Sequence, residues 1–174
     1  DDYTSMYEAT RQMIGSGVED ILYFYNSTSY SGKKKLAGYR AAMEEAGLLK
    51  SGSLMQLFTG SHEDIHAMGE HLMKVHNKGL TFDGVIAADD NLALGAMKYA
   101  LAANLSIPKE LSIIGYNNSM LTACCNPELT SIDNKLETLC QHLITTLMGL
   151  LGGNEMPKKT LFSGEIVRRG TTTF

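Results

Sequence analysis

Residues 83–118 read DGVIAADDNLALGAMKYALAANLSIPKELSIIGYNN, and this stretch decides the fold. Val85 to Ala88 is a short apolar run, the pattern of a strand covered on both faces. Asn91 to Ala103 is rich in Ala and Leu and predicts a helix. Asp90 is suited to cap that helix, which leaves Asp89 at the strand end facing a cleft. Leu111 to Gly115 (LSIIG) predicts the next strand. Two strands joined through a helix of this length run parallel, with a right-handed crossover.

The same unit recurs on the N-terminal side. Thr4 to Ile14 predicts a helix, with Asp2 or Thr4 as N-cap and Gly15 and Gly17 as stop signals. Ile21 to Tyr25 (ILYFY) predicts a buried strand, and Asn26 to Gly32 is a polar loop. Lys33 to Ala46 predicts a helix with Leu36, Tyr39, Ala42 and Met43 on one face. Leu54 to Phe58 predicts a strand. Ser61 opens a helix to about Asn77, with Ile65, Met68, Leu72 and Val75 at helical spacing. Beyond Asn118 the regularity breaks. Thr130 to Ile132 reads as an extended crossing segment, Leu136 to Leu151 as an amphipathic helix stopped by Gly152-Gly153, and Leu161 to Arg168 as a last strand. The fold class is α/β, a parallel sheet flanked by helices. Such sheets bind ligands at the carboxyl ends of their strands, which selects residues 26–35, 60–62, 88–91 and 116–120 for inspection.

Composition narrows the function. The chain has 174 residues, about one domain's worth, with 44% hydrophobic and 20% charged residues, which excludes disorder, collagen and coiled coil. No apolar run approaches the ~18 residues of a membrane span. Fifteen Lys and Arg against nineteen Asp and Glu leave a net charge of -4. The basic clusters Lys33–Lys35, Lys158-Lys159 and Arg168-Arg169 read as solvated surface, so this chain is not expected to bind DNA by itself. Cys124, Cys125 and Cys140 have no metal spacing and read as reduced thiols of a cytoplasmic protein. The opening Asp1-Asp2-Tyr3 has no initiator Met, so an N-terminal portion is expected outside the chain.

One motif points to an enzyme. His62-Glu63-Asp64-Ile65-His66 fits H-E-x-x-H, in which two histidines on one helical face bind zinc and the Glu polarises water. Against it, His62 falls in the first turn, where Ser61 and Asp64 are suited to capping, and Gly69 and His71 miss the longer zinc-protease register by one residue. Asp89-Asp90 is a carboxylate pair without a recognisable acid/base partner. No nucleophile elbow, phosphate loop or dinucleotide fingerprint is present.

Several stretches together carry a resemblance. They are residues 83–108, LSIIGYNN at 111–118, PELTSI at 127–132 and IVRRGTT at 166–172, with Gly17 to Ile21 and Lys35-Leu36-Ala37-Gly38-Tyr39 upstream in matching order. The chain resembles the effector-binding core of the lactose-repressor (LacI) family of bacterial transcription regulators over essentially its whole length. The resemblance implies a periplasmic-binding-protein-like (type I) lobe. Residues 1–133 and 164–174 would form the C-terminal lobe of the core, residues 134–163 would belong to the N-terminal lobe, and the helix-turn-helix headpiece would lie outside this chain.

It also implies a ligand site of Ser31, Lys35, His62, Asp89 and Asn117, with no catalytic residue, metal or cofactor. The family's Arg is here Lys35, and its Asp after Gly-aromatic is here Asn117. A fork becomes a point charge and a charged acceptor is lost, so an anionic or modified effector enters beside a neutral sugar. Lys35 as a solvated helix residue and Asn117 as a turn residue are the plain alternatives. The implied partners are a small-molecule effector (sugar, sugar phosphate or nucleoside), operator DNA through the headpiece, and a second copy in a homodimer touching Cys124 and Cys125. A transport protein of the same fold is the rival reading.

Overall fold

The computed structural model describes residues 1–49 and 54–174. Helix α1 (Asp2–Gly15) leads into strand β1 (Ile21–Tyr25), then α2 (Tyr30–Glu45), β2 (Met55–Leu57), α3 (Ile65–Asn77), β3 (Gly84–Ala87), α4 (Asp90–Ala102) and β4 (Ser112–Tyr116). A short 3-10 turn (Met120–Ala123), β5 (Thr130–Asp133), α5 (Leu136–Leu151) and β6 (Glu165–Val167) complete the chain. The six strands form one sheet in the order β2-β1-β3-β4-β5-β6. All neighbours pair parallel except β5 and β6, which run antiparallel.

The central strands are apolar on both faces because helices cover both. Ile21, Leu22, Val85, Ile86, Ile113 and Ile114 are all fully buried. Helices α1 and α2 pack together on one side, and α3 and α4 on the other. Glycine sets both helix crossings. A Cβ on Gly38 would lie 2.3 Å from the Tyr3 carbonyl, and one on Gly95 would lie 2.4 Å from Met68 Cβ. Tyr39 anchors α2 to the sheet by donating its hydroxyl to the Ile21 carbonyl at 2.7 Å.

The C-terminal segment sutures the sheet. Thr171 is fully buried; its backbone carbonyl accepts from Ile113 N–H at 2.8 Å and its hydroxyl donates to the Ile113 carbonyl at 2.7 Å. The same hydroxyl accepts from Thr130 N–H at 2.9 Å, so residues after β6 tie β4 to β5.

Three expectations need correction. The last strand is only three residues, Glu165–Val167, and antiparallel to β5. Helix α2 begins at Tyr30 behind the Ser29 cap, three residues ahead of the expected Lys33. Helix α3 begins at Ile65, capped by the Asp64 side chain on Ala67 N–H, which has a consequence for the histidine motif. Helix α5 carries no buried residue: Leu143, Ile144, Leu147, Met148 and Leu151 are all exposed. Its N-cap residue Lys135 has φ +53°, and Lys135 Nζ pairs with Glu165 at 2.8 Å where the outgoing and returning segments pass. Among the described residues no helix is long and apolar enough to cross a membrane.

Candidate ligand-binding site

The sheet's strand order reverses between β1 and β3, and the loops that leave their carboxyl ends part there. A polar concavity of about 180 Å³ opens at that point. Ser31, Lys35, His62, Asp89 and Asn117 all line it, together with Asn26 and Ala88. All five residues singled out from the sequence are therefore brought together. They come from the start of α2, the β2–α3 loop, the end of β3 and the end of β4.

Lys35 is the residue whose placement differs most from a plain reading of the chain. Lys33 and Lys34 are exposed, whereas Lys35 is only 9% exposed. It lies one turn before Tyr39 on the inner face of α2, and its Nζ donates to the Ala88 carbonyl at 2.8 Å. The ammonium also sits 3.6 Å from the centre of the Tyr116 ring, close enough for a cation–π contact. Burial pushes its pKa below the ordinary lysine value, and the carboxylates of Asp2, Asp89 and Asp90 oppose that shift.

Asp89 and Asp90 divide their work in the opposite way from the sequence expectation. Asp89 is the N-cap of α4: its Oδ1 accepts from Leu92 N–H at 2.9 Å. Its Oδ2 accepts from Asn26 Nδ2 at 3.2 Å, and it still lines the concavity. Asp90, only 3% exposed, points inward and holds the neighbouring loop. It accepts from Ser131 Oγ at 2.6 Å and from Ser119 N–H at 2.7 Å. Burial raises its carboxyl above the ordinary carboxylate value, partly offset by those hydrogen bonds.

Asn117 follows β4 with φ +101°, and Asn118 has φ +48°. Two successive left-handed residues are costly for most side chains, and Asn tolerates them better than most. Asn117 Oδ1 accepts from Asn134 Nδ2 at 2.7 Å. Asn118 Oδ1 accepts from Arg169 at 2.8 Å, while Arg169 also donates to the Leu129 carbonyl. The turn is thus clamped from two sides, by Asp90 and by Arg169.

His62 and Glu63 lie in the turn before α3, and His66 lies in its first turn. The two histidines do not share a helical face, so the zinc-hydrolase reading of His62, Glu63 and His66 fails on geometry. Among the described residues, no three His, Cys, Asp or Glu side chains are grouped as a metal site. His62 Nδ1 instead accepts from Asn26 Nδ2 at 2.7 Å, and its ring lies 3.5 Å from Asp89. Asn26, which donates to both, was missed from the sequence; its place at the carboxyl end of β1 was the available signal. Tyr116 was also missed, because in LSIIGY it reads simply as core.

Cys124 and Cys125 lie away from the concavity. Cys124 is exposed, and Cys125 lines an apolar groove of about 410 Å³ with Ile65, Leu94, Met97, Leu101 and Ile107. Leu101 is 75% exposed on its rim.

An open, mostly parallel sheet flanked by helices, with a polar concavity at its switch point, is the architecture of a periplasmic-binding-protein-like domain. Residues 10–172 match the family described as periplasmic binding protein-like domain, and the chain belongs to it. Among its relatives is an HTH-type transcriptional regulator from Lachnoclostridium phytofermentans, 46% identical over 174 residues, covering all of this chain and 51% of the relative. The Escherichia coli transcriptional repressor AscG superposes with a TM-score of 0.88 at 23% identity, over 98% of this chain and 62% of that one. A sugar-binding transcriptional regulator of the LacI family from Escherichia coli gives 0.88 at 24%, over 98% and 61%. The resemblance to lactose-repressor-type effector cores read from the sequence is borne out. The chain spans about half the length of the curated relatives it matches.

Proposed function

We propose that this chain is the small-molecule-sensing part of a DNA-binding transcription regulator of the LacI family. The observation that carries the reading is the convergence of Ser31, Lys35, His62, Asp89 and Asn117 on one concavity at the switch point of the sheet. In this reading residues 1–133 and 164–174 form one lobe, and residues 134–163 pack into the other. The apolar, uncovered face of α5 supports that division. The effector is a sugar, sugar phosphate or nucleoside held between the lobes. It acts through its difference in affinity for two lobe arrangements, because a ligand that binds both equally shifts nothing. Operator DNA is read by a helix-turn-helix outside this chain, in a cytoplasmic homodimer. The groove beside Cys125, with Leu101 at its rim and Cys124 adjacent, is the contact surface we assign to the second copy. The reading assigns no catalysis to the chain.

A thermal-shift screen of sugars, sugar phosphates and nucleosides on the full-length gene product tests this. A hit weakened by both Lys35→Ala and Asn117→Ala is expected. A hit indifferent to both, or none across the three classes, would overturn the assignment.

A further inference from the structure

Donors and acceptors around Lys35 are unevenly spent. The acceptors turned toward the concavity are mostly used within the protein. Asp89 takes Leu92 N–H and Asn26 Nδ2, and Asn117 Oδ1 takes Asn134 Nδ2. The Ala88 carbonyl takes Lys35, and His62 Nδ1 takes Asn26. Of the amide and carboxylate oxygens lining the concavity, only Asn26 Oδ1 is left without a partner among the described residues.

The donors are less committed. Asn26 Nδ2 donates to Asp89 and, in the tautomer whose Nδ1 accepts from it, to His62, and that tautomer carries its ring proton on Nε2. That N–H has no partner among the described residues, and neither has Asn117 Nδ2. Lys35 uses one of its three N–H bonds on Ala88, and another side of the ammonium faces the Tyr116 ring. Lys35 is the only lysine or arginine among the described residues lining the concavity, and the Asp89 carboxylate that shares the lining is engaged by Leu92 N–H through Oδ1 and by Asn26 Nδ2 through Oδ2.

We propose that the effector presents an oxyanion, a phosphate or a carboxylate, to this concavity, with Lys35, Asn117 Nδ2 and His62 Nε2 donating to it. The inference rests on the reading of the concavity as the effector site. A neutral sugar brings hydroxyls that donate as well as accept, and beside Asn26 Oδ1 only the serine hydroxyls of the lining, which donate as well as accept, are left to meet them. An oxyanion only accepts, and a charge-assisted hydrogen bond is about twice as strong as a neutral one. The compact lysine charge suits a phosphate or carboxylate oxygen without demanding the two-pronged geometry of arginine.

The test is isothermal titration of the full-length gene product with hexoses and disaccharides, each paired with its own phosphate ester and its own sugar acid. At least one oxyanion form is expected to bind tenfold or more tightly than its neutral parent, and the ester and acid arms separate phosphate from carboxylate. Lys35→Met should erase that advantage, and Lys35→Arg should keep most of it. Asn117→Asp, which retains the Asn134 contact while adding a negative charge, should reverse the preference toward the neutral parent. Neutral parents binding as tightly as their oxyanion forms, with binding lost in Asn117→Ala, would overturn the oxyanion and leave the effector site standing. An oxyanion preference that survives both Lys35→Met and Asn117→Asp would overturn the assigned donors. No binding by any member would overturn the effector site itself.

Discussion

Tyr116→Phe removes one oxygen from beneath the concavity and leaves the ring in place. The Tyr116 side chain is 1% exposed, and its hydroxyl donates to Asp2 Oδ1 at 2.8 Å. That bond ties the end of β4 to the first turn of α1, across 114 residues of chain. A hydrogen bond to a charged group contributes about 1.5–3 kcal/mol, and its loss also leaves a partly buried carboxylate short of a donor. For a domain of this size 1 kcal/mol is roughly 2–4 °C, so a fall in Tm of about 3–12 °C is expected. Urea unfolding followed by far-ultraviolet circular dichroism measures the same loss as a lower midpoint with an unchanged slope. A double-mutant cycle with Asp2→Ala isolates the pair, and a coupling of about 1 kcal/mol or more is expected. Because Phe keeps the face beneath the Lys35 ammonium, ligand affinity should change little. Tyr116→Leu, which removes the face, should weaken it. A Tyr116→Phe protein within 0.5 kcal/mol of the parent, or additive with Asp2→Ala, would show that this bond does not hold α1 to the sheet.

Asp90 predicts a pH dependence. Its folded value lies above the ordinary carboxylate value, so the folded state binds more protons just above that value than the unfolded state does. Stability is therefore drawn down as pH rises through the window above about 4, and Asp90→Asn should lack that slope while paying a constant cost for one lost acceptor. Parallel urea midpoints for parent and variant across pH 4–7 would contradict this. Gly95→Ala places a methyl 2.4 Å from Met68 Cβ and should cost about 1–3 kcal/mol by forcing α3 and α4 apart, measured by thermal unfolding. Leu101→Lys should convert a dimeric full-length protein to monomer in sedimentation equilibrium; an unchanged mass would move the two-fold contact elsewhere.

Sheet and helix order were legible because burial on both faces writes itself as continuous apolar runs. ILYFY at 21–25 gave β1 with its observed bounds, and the residues 83–118 gave β3, α4 and β4 within a residue or so. The direction of β6 was not legible, because three residues with a mixed pattern carry no orientation signal. The order of the two aspartates was also hidden. Either could cap α4, and the choice depends on Ser119 and Ser131, which approach from loops far along the chain. The histidine motif misled for a local reason: the Asp64 cap starts α3 three residues after His62, which breaks the shared face the motif requires.

Lys35 shows why a candidate site can be read from a chain while the setting of its residues stays concealed. In Lys33-Lys34-Lys35 all three residues have the same chemistry, and a reading by apolar stripe turned Leu36 inward and Lys35 out. The helical period places residue 35 one turn before Tyr39, and Gly38, Tyr39 and Ala42 are buried with it. Leu36 is consequently only half-buried. Burying an ammonium is unfavourable unless its partners are in place, and those partners are the Ala88 carbonyl and the Tyr116 face. Both lie at carboxyl ends of strands, where the sheet leaves backbone groups and ring faces uncovered by a neighbouring strand. The buried charge is therefore set by the sheet's topology. A substitution that moved the end of β3 or β4 would disturb Lys35, and with it the site, without touching any polar residue that lines it.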